Sequence, residues 1–153
     1  MSIKQVLLGA LTVLAVAGTT AVLPTASASA KRTVTPANFR GTWQARISKK
    51  EVQKVKITKY SFSVSQYKNG KKEEGSWTVG NKKRKHSKNP FNGVPLYVHK
   101  DKKGYTFIGV KRRGQLWHLK RVTHKKKVSL RDDGWEYKSF GEKPIVHYYY
   151  RVK

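Results

Sequence analysis

The chain of 153 residues contains 34 Lys and Arg against 8 Asp and Glu, so its formal net charge at pH 7 is +26. This length suffices for one hydrophobic core but not for a second folded module, which excludes multidomain architectures. The absence of Cys excludes disulfides, thiolate metal sites, a cysteine nucleophile and a cysteine-linked lipid anchor. So high a charge is typical of disorder, but all 17 aromatic residues lie after position 30 and predict a folded domain.

The first thirty residues have the order of a secretory signal peptide. Lys4 precedes an apolar run at positions 6–23, and Ala28 and Ala30 satisfy the small-x-small rule for cleavage after Ala30. The alternative is an uncleaved transmembrane anchor, because this run is close to the shortest that spans a bilayer. We favour a signal peptide (1–30), followed by a flexible mature N-terminus (31–37) and one folded domain (38–153). No Leu-Pro-x-Thr-Gly sorting motif is present, so retention at the cell would be noncovalent.

After Asn38 the pattern predicts β-strands and tight turns with almost no helix. Positions 39–47 alternate Phe, Gly, Trp, Ala and Ile with polar residues, which indicates a half-buried first strand. Asn69-Gly70 predicts a hairpin turn because both residues tolerate positive φ. Further strands are predicted around Val55 and Ile57, Phe62 and Val64, Trp77 and Val79, and at 96–99, 105–110 and 116–122, with a turn at Lys59-Tyr60 and a polar loop at 80–93.

The C-terminal part of the domain allows two interpretations. Residues 128–131 and 135–140 form a hairpin around Asp132-Asp133-Gly134, or these three residues form a bulge. Residues 145–153 predict a terminal strand in which alternate residues, from Val146 to Val152, share one face. The fold class is therefore all-β, a single antiparallel sheet of 8 to 10 short strands that closes as a barrel or folds as a sandwich. We favour the barrel because closure removes exposed edges.

Two aromatic motifs resemble those of a known family. Phe39-x-Gly41-x-Trp43 at the start of the first strand resembles the lipocalin signature, and Gly75-x-Trp77-x-Val79 is similar to a strand of bacterial lipocalin-like domains. Arg151 resembles the late arginine that calycin barrels lay across the first-strand tryptophan. With its signal peptide and its many lysines, the chain resembles the small, basic, secreted lipocalin-like proteins of lactobacilli. The resemblance implies a lipocalin-like barrel.

The residues of the signature have structural interpretations. We expect Trp43 to plug the end of the barrel as a core residue rather than to contact a ligand. Gly41 would allow another backbone to approach closely. For Arg151, a cation–π cap on Trp43 and an ordinary solvated position remain equally open.

Residues with catalytic potential form no recognisable pattern. The five histidines show no metal-ligand spacing, and none of the eight carboxylates occupies a position that the pattern marks as buried. A glycosidase pair or a serine hydrolase triad has no signature either. Asp132-Asp133-Gly134 has too few ligands for a calcium loop and indicates a turn. We therefore predict a protein that is not an enzyme and needs no cofactor; an enzyme would require a pocket that joins His118 or His147 to a carboxylate.

The positive charge is concentrated in the predicted turns. If the strands form a continuous up-and-down meander, alternate turns reach opposite ends of the barrel. One end would carry Lys49, Lys50, the 68–72 turn, the 100–103 turn and the 125–127 turn, and the other end would carry 82–88 and 111–113. The candidate polyanion-binding residues are Lys68, Lys71, Lys72, Lys82, Lys83, Arg84, Lys85, Lys100, Lys102, Lys103, Arg112, Arg113, Lys125, Lys126 and Lys127.

These basic ends predict a secreted, monomeric binding protein held at the cell envelope by wall or lipoteichoic acid. Extracellular nucleic acid and sulfated glycans are further candidate partners, and a charge that only keeps the protein soluble is the simplest alternative. No amphipathic helix follows the signal, which disfavours membrane disruption. The second function considered is a carrier of a small apolar ligand, which requires a cavity near Phe62, Phe107, Ile108 and Trp117.

Overall fold

A computed structural model describes residues 31–112 and 115–153, and the folded unit spans Arg32–Lys153. In this part of the chain a 3₁₀ helix (Ala37–Phe39) and a single short α-helix, α1 (Trp135–Ser139), accompany ten strands. The strands are β1 (Gly41–Arg46), β2 (Glu51–Ile57), β3 (Phe62–Lys68), β4 (Lys71–Lys72), β5 (Trp77–Val79), β6 (Tyr97–Lys100), β7 (Thr106–Gly109), β8 (Leu116–His124), β9 (Lys127–Asp132) and β10 (His147–Arg151). The predicted signal peptide (1–30) lies outside the described residues.

All ten strands belong to one antiparallel sheet that curls into a half-barrel. Its order is β4, β3, β2, β1, β10, β9, β8, β7, β6, and β5 also pairs with β3. The last strand of the chain thus lies beside the first, with Trp43 opposite Arg151. Because the strand order has two ends, the backbone ladder does not close, and the prediction of a closed barrel is wrong in this respect.

The connection between β5 and β6 explains the open ladder. Neighbouring strands alternate in direction, so the strand order makes β5 and β6 run in the same direction. Residues 80–96 must therefore carry the chain back along the height of the sheet rather than turn it around. Side chains pack across the interior: the Trp117 ring of β8 contacts Phe62 of β3 and Trp77 of β5, with centroids 5.5 and 5.7 Å apart.

Most of the predicted strands are confirmed. Residues of β1 and β2 alternate as expected, with Trp43, Ala45, Val55 and Ile57 buried. Asn69 and Gly70 adopt positive φ values of 51° and 78°, which are required of the predicted hairpin turn.

The predicted strand at 135–140 is wrong, since these residues form α1. The Asp132 and Asp133 side chains accept hydrogen bonds from the N–H groups of Gly134 and Trp135, which is the turn chemistry expected of this sequence. Gly134 has a φ of 74°, and a Cβ there would lie 2.6 Å from the Ile145 backbone. Position 134 therefore requires glycine, both for its positive φ and for the close approach of the Ile145 backbone.

The folded unit also includes part of the segment expected to be flexible. Thr35 is buried, and its hydroxyl donates to the Thr58 carbonyl oxygen at 2.6 Å. The Arg32 guanidinium lies over the Tyr60 ring and donates to the Gly80 carbonyl oxygen at 2.9 Å. Arg32 and Thr35 thus contact the folded domain although 32–36 have no regular secondary structure. No helix among the described residues is long and apolar enough to cross a membrane.

The signature residues form one cluster at the β1–β10 pair. Trp43 is 1% exposed, and its indole N–H donates to the Phe39 carbonyl oxygen at 2.7 Å, which confirms its core position. The Arg151 guanidinium lies 4.8 Å from the centre of the Trp43 ring, so the cap is formed. A Cβ on Gly41 would lie 3.0 Å from this guanidinium, which shows that Gly41 makes room for a side chain and not for the backbone that we expected.

Candidate functional site

A groove on the outer face of β2, β3 and β5 is lined by lysines and hydroxyl groups. Alternation along each strand turns Val55, Ile57, Val64 and their neighbours inward and Lys54, Lys56, Ser63, Ser65 and Thr78 outward. The register places Thr42 beside Lys56, Lys56 beside Ser63, and Ser63 beside Thr78 in one row across four strands. Lys54 lies opposite Ser65 in the next row.

The loop after β5 brings another lysine to this groove. The Asn89 side chain accepts a hydrogen bond from the Thr78 N–H at 3.0 Å and donates one to the Thr78 carbonyl oxygen at 2.6 Å. This pair fixes the loop to the edge strand, where Lys88 joins Lys54, Lys56 and Lys72 in lining a volume of about 430 Å³. We call this volume the lysine groove.

The lysine groove is suited to anions. None of the described residues that line it is Asp or Glu. The Ser63 and Thr78 hydroxyls share a hydrogen bond of 2.8 Å, and the Ser76 hydroxyl oxygen is buried without a hydrogen-bond partner. The groove therefore offers four ammonium groups together with hydroxyl donors, which are the groups that hold phosphate or sulfate oxygens.

Of the predicted polyanion-binding residues, only Lys72 lines this groove. Lys68 and Lys71 face each other across the β3–β4 hairpin next to Lys50, whose carbonyl oxygen accepts from the Asn69 N–H. The remaining described residues are exposed in four separate places: Lys82, Lys83, Arg84 and Lys85 in the 80–96 connection, Lys100, Lys102 and Lys103 at the β6–β7 turn, Arg112 before β8, and Lys125, Lys126 and Lys127 at the β8–β9 turn. Arg113 lies outside the described residues.

The predicted division of the basic turns between two ends is wrong. The turns after β1, β3 and β7 follow strands that run in one direction, and those after β6 and β8 follow strands that run in the other. The 80–96 connection does not reverse the chain as a meander turn would. Each turn after it therefore lies at the end of the sheet opposite to the one that the meander predicted. Lys111 and Arg112 thus share an end with Lys50 and Lys68.

A second cavity, of about 570 Å³, opens into the half-barrel at the end where β1 joins β2. It is lined by five of the eight Asp and Glu residues of the chain: Glu51, Glu73, Asp132, Glu136 and Glu142. Asp132, which the pattern did not mark as buried, points inward next to His147 of β10 and is partly buried. We call this cavity the acidic cavity.

Aromatic and amide side chains form the rest of the acidic cavity. Trp77, Trp117 and Tyr149 line it. The Trp117 indole N–H donates to the Tyr149 hydroxyl at 3.1 Å, and that hydroxyl donates to the Gln53 side-chain oxygen. The Gln115 side-chain oxygen is buried in the wall without a hydrogen-bond partner.

The protonation of the cavity reflects its burial and its concentration of carboxylates. Burial raises the pKa of Asp132 to about 7, against a hydrogen bond from the Gly134 N–H that lowers it, and the Asp133 carboxylate raises it further. Burial also raises the pKa of Tyr149 and lowers that of His147. Burial and the charges of Asp132 and Glu142 raise the pKa of Tyr137. At neutral pH the cavity thus holds one carboxyl near its midpoint and an uncharged imidazole.

Sequence reasoning missed the acidic cavity, although the strands carry a signal for it. The inward residues of β2 change from Ile57 and Val55 to Gln53 and Glu51 towards one end. Those of β9 change likewise from Leu130 to Asp132. A change from apolar to polar along one face predicts a polar cavity at that end, once the strand directions are known.

His118 joins two carboxylates, as an enzyme site would require, but in a closed arrangement. Its Nδ1 and Nε2 each lie 2.8 Å from a carboxylate oxygen, of Asp133 and Asp101 respectively. Both ring nitrogens are thus occupied, and the ring is stacked between Phe107 and Tyr105. Although burial raises the pKa of Asp101, hydrogen bonds from His118 and from two backbone N–H groups hold it below its ordinary value. This clamp fixes the β6–β7 turn to β8 and β9.

Phe107 does not line the interior as we expected. It lies on the outer face of β7, where it packs against Trp135 of α1 with ring centroids 5.0 Å apart.

Among the described residues, no group of three His, Asp or Glu side chains is placed to hold a metal ion. Comparisons with protein-family models, curated proteins and solved structures find no match to this chain.

Proposed function

We propose that this chain is a secreted, non-enzymatic binding protein that is retained at the cell envelope by anionic polymers of the teichoic acid type. The observation that carries the proposal is the lysine groove, in which Lys54, Lys56, Lys72 and Lys88 converge without a carboxylate among the described lining residues. Alternate lysines on one strand are about 6.8 Å apart, a spacing that lets neighbouring phosphates of a flexible chain each meet an ammonium group.

Position on the sheet distinguishes this groove from the other basic segments, although Lys56, Lys72 and Lys88 are themselves exposed. Lys54 and Lys56 are on a central strand, and the Lys54 ammonium lies 4.5 Å from the centre of the Tyr67 ring. Lys88 is held through Asn89. Ordered cations lose less side-chain entropy on binding than cations at exposed turns. The exposed lysines at 68–71, 82–85, 100–103 and 125–127 add long-range attraction to the same polymer.

The remaining parts of the proposal rest on the sequence. The signal-peptide pattern supports secretion, and the absence of a sorting motif is consistent with noncovalent retention. The Trp43–Arg151 contact and the curled sheet support the resemblance to lipocalin-like proteins. We propose a monomer that acts without a cofactor.

Retention on phosphocellulose at increasing salt tests the proposal. Lys→Gln changes at 54, 56, 72 and 88 together should reduce the slope of log retention against log salt by about 3, because each lost phosphate contact removes about 0.7. The matched control replaces Lys31, Lys59, Lys138 and Lys143, which lie outside the groove and carry the same total charge. Equal loss in the two variants, or retention independent of salt, would contradict a specific role for the groove.

The second function, a carrier using the interior, is favoured by one observation: the half-barrel contains the acidic cavity of about 570 Å³. Its five carboxylates do not suit the apolar ligand that the sequence suggested, because an apolar ligand would bury charged groups without pairing them.

A further inference from the structure

The acidic cavity is unusual in a protein with a formal net charge of +26. Five of the eight carboxylates line it, and none of the described lining residues is Lys or Arg. The cavity opens at the same end as the 47–50 and 69–70 turns, and Glu51 pairs with Lys68 across β2 and β3. Within the cavity lining itself, the five carboxylates create a local negative potential in a positive protein.

We infer that the acidic cavity binds a small organic cation, an amine or quaternary ammonium group carried on an apolar body. Asp132 of β9 and Glu51 of β2 both line the wall and provide carboxylate partners for the charged group, and Glu51 also accepts a hydrogen bond from the Ser48 hydroxyl at 3.2 Å. Trp77, Trp117 and Tyr137 provide aromatic surface for the body of the ligand and cation–π contact for its charge.

An unsatisfied group supports a ligand independently of the carboxylates. The Gln115 side-chain oxygen, in the wall of the same cavity, is buried without a hydrogen-bond partner. Buried amide oxygens are normally paired, and this oxygen has almost no surface open to the cavity, so an ammonium N–H donor would reach it only after the Gln115 side chain turns. The Tyr149 hydroxyl, by contrast, is already engaged with Trp117 and Gln53, so it keeps the wall rigid.

The volume sets the size of the ligand. About 570 Å³ accommodates a molecule with an aromatic ring and a short amine chain, and lies within the usual range of small-molecule sites. The net positive charge of the protein repels cations at long range, but at about 0.15 M salt the Debye length is about 8 Å. The described lining of the cavity offers such a cation five carboxylates and no Lys or Arg.

Binding of three matched probes to the full mature chain tests this inference: phenethylamine, phenethyl alcohol and phenylacetate. They share an aromatic body and differ in charge. Titration at about 0.15 M salt can be followed by calorimetry and by the fluorescence of Trp77 and Trp117. We expect the amine to bind at least tenfold more tightly than the alcohol, and phenylacetate to bind most weakly. Equal affinity for amine and alcohol, or no binding of the amine, would overturn the inference.

Variants locate the site. Asp132→Asn and Glu51→Gln should each weaken amine binding about tenfold and leave alcohol binding unchanged. Glu74→Gln removes the same charge from an exposed residue outside the cavity and should change the affinity less than twofold. If Asp132→Asn fails to fold, Glu51→Gln alone still tests whether the amine binds in the acidic cavity. Equal weakening by Glu74→Gln would show a general charge effect and overturn the assignment to this cavity.

Discussion

The lysine groove and the acidic cavity occupy the two faces of the same strands. On β2, Lys54 and Lys56 face the groove, whereas Glu51 and Gln53 face the cavity. Both depend on the two-residue period of a strand, which sends neighbouring residues to opposite faces. The net charge of +26 therefore does not tell which ligands this protein can bind, because positive and negative side chains are separated by one layer of backbone.

The two sites also differ in their surroundings. The lysine groove is on the outer face, where water and salt screen each charge, so its binding strength must come from several contacts at once. The acidic cavity is partly enclosed, and burial raises the pKa of Asp132 to about 7. A single charge there has a larger effect than a single lysine outside.

Trp77→Ala should have the largest effect, because Trp77 lines both the groove and the cavity. Its ring packs between Phe62, Phe91 and Trp117, and removal of a buried Trp side chain costs about 3–5 kcal/mol of unfolding free energy. We expect urea unfolding to show this loss together with weaker binding at both sites. Trp135→Ala, on α1 and outside both sites, is the control, and it should lose stability without weaker binding at either site. If Trp77→Ala also keeps both binding activities, the proposal that Trp77 forms a wall shared by the two sites is contradicted.

Asp132→Asn should change the pH dependence of stability. Because the pKa of Asp132 is raised from 3.8 to about 7 in the folded protein, the folded state binds this proton more tightly than the unfolded state. Its contribution to stability is full below about pH 4 and is lost as the pH rises through 7. Relative to the native chain, the Asn variant should gain about 2–4 kcal/mol between pH 4 and pH 8.

The measurement is urea unfolding of both proteins at intervals across this range. Contributions from other titrating groups cancel in the difference between the two proteins. A difference that stays constant with pH would show that Asp132 is ionised with an ordinary pKa.

Arg151→Gln should have the smallest effect and leave both sites intact. It removes the cation–π contact with Trp43 and the hydrogen bond to the Arg40 carbonyl oxygen. We expect a loss of about 1–2 kcal/mol in unfolding free energy. The control is Lys153→Gln, which also removes one positive charge, and Arg151→Gln should reduce phosphocellulose retention and amine binding no more than this control does. A stability equal to that of the native chain would show that the cap is not stabilising.

Local patterns predicted local structure well. The alternation around Trp43 and the Asn69-Gly70 pair were sufficient for β1 and the β3–β4 hairpin because strand burial and turn geometry depend on neighbouring residues. The helix at 135–139 could not be predicted in this way. It depends on the approach of the Ile145 backbone to Gly134, eleven positions apart, which no local pattern reveals.

The amino-acid pattern was enough to predict the all-β class, the faces of β1 and β2, the positive charge and the core position of Trp43. The strand order, the course of residues 80–96 and hence the set of charged residues that meet became known from the folded arrangement. The physical reason is that alternation assigns a residue to a face, whereas assigning it to an end requires the direction of every strand before it. The 80–96 connection inverted the direction of every strand after β5 relative to a meander, and it separated basic turns that the meander placed together. In the same fold, five carboxylates that are scattered along the sequence line one cavity.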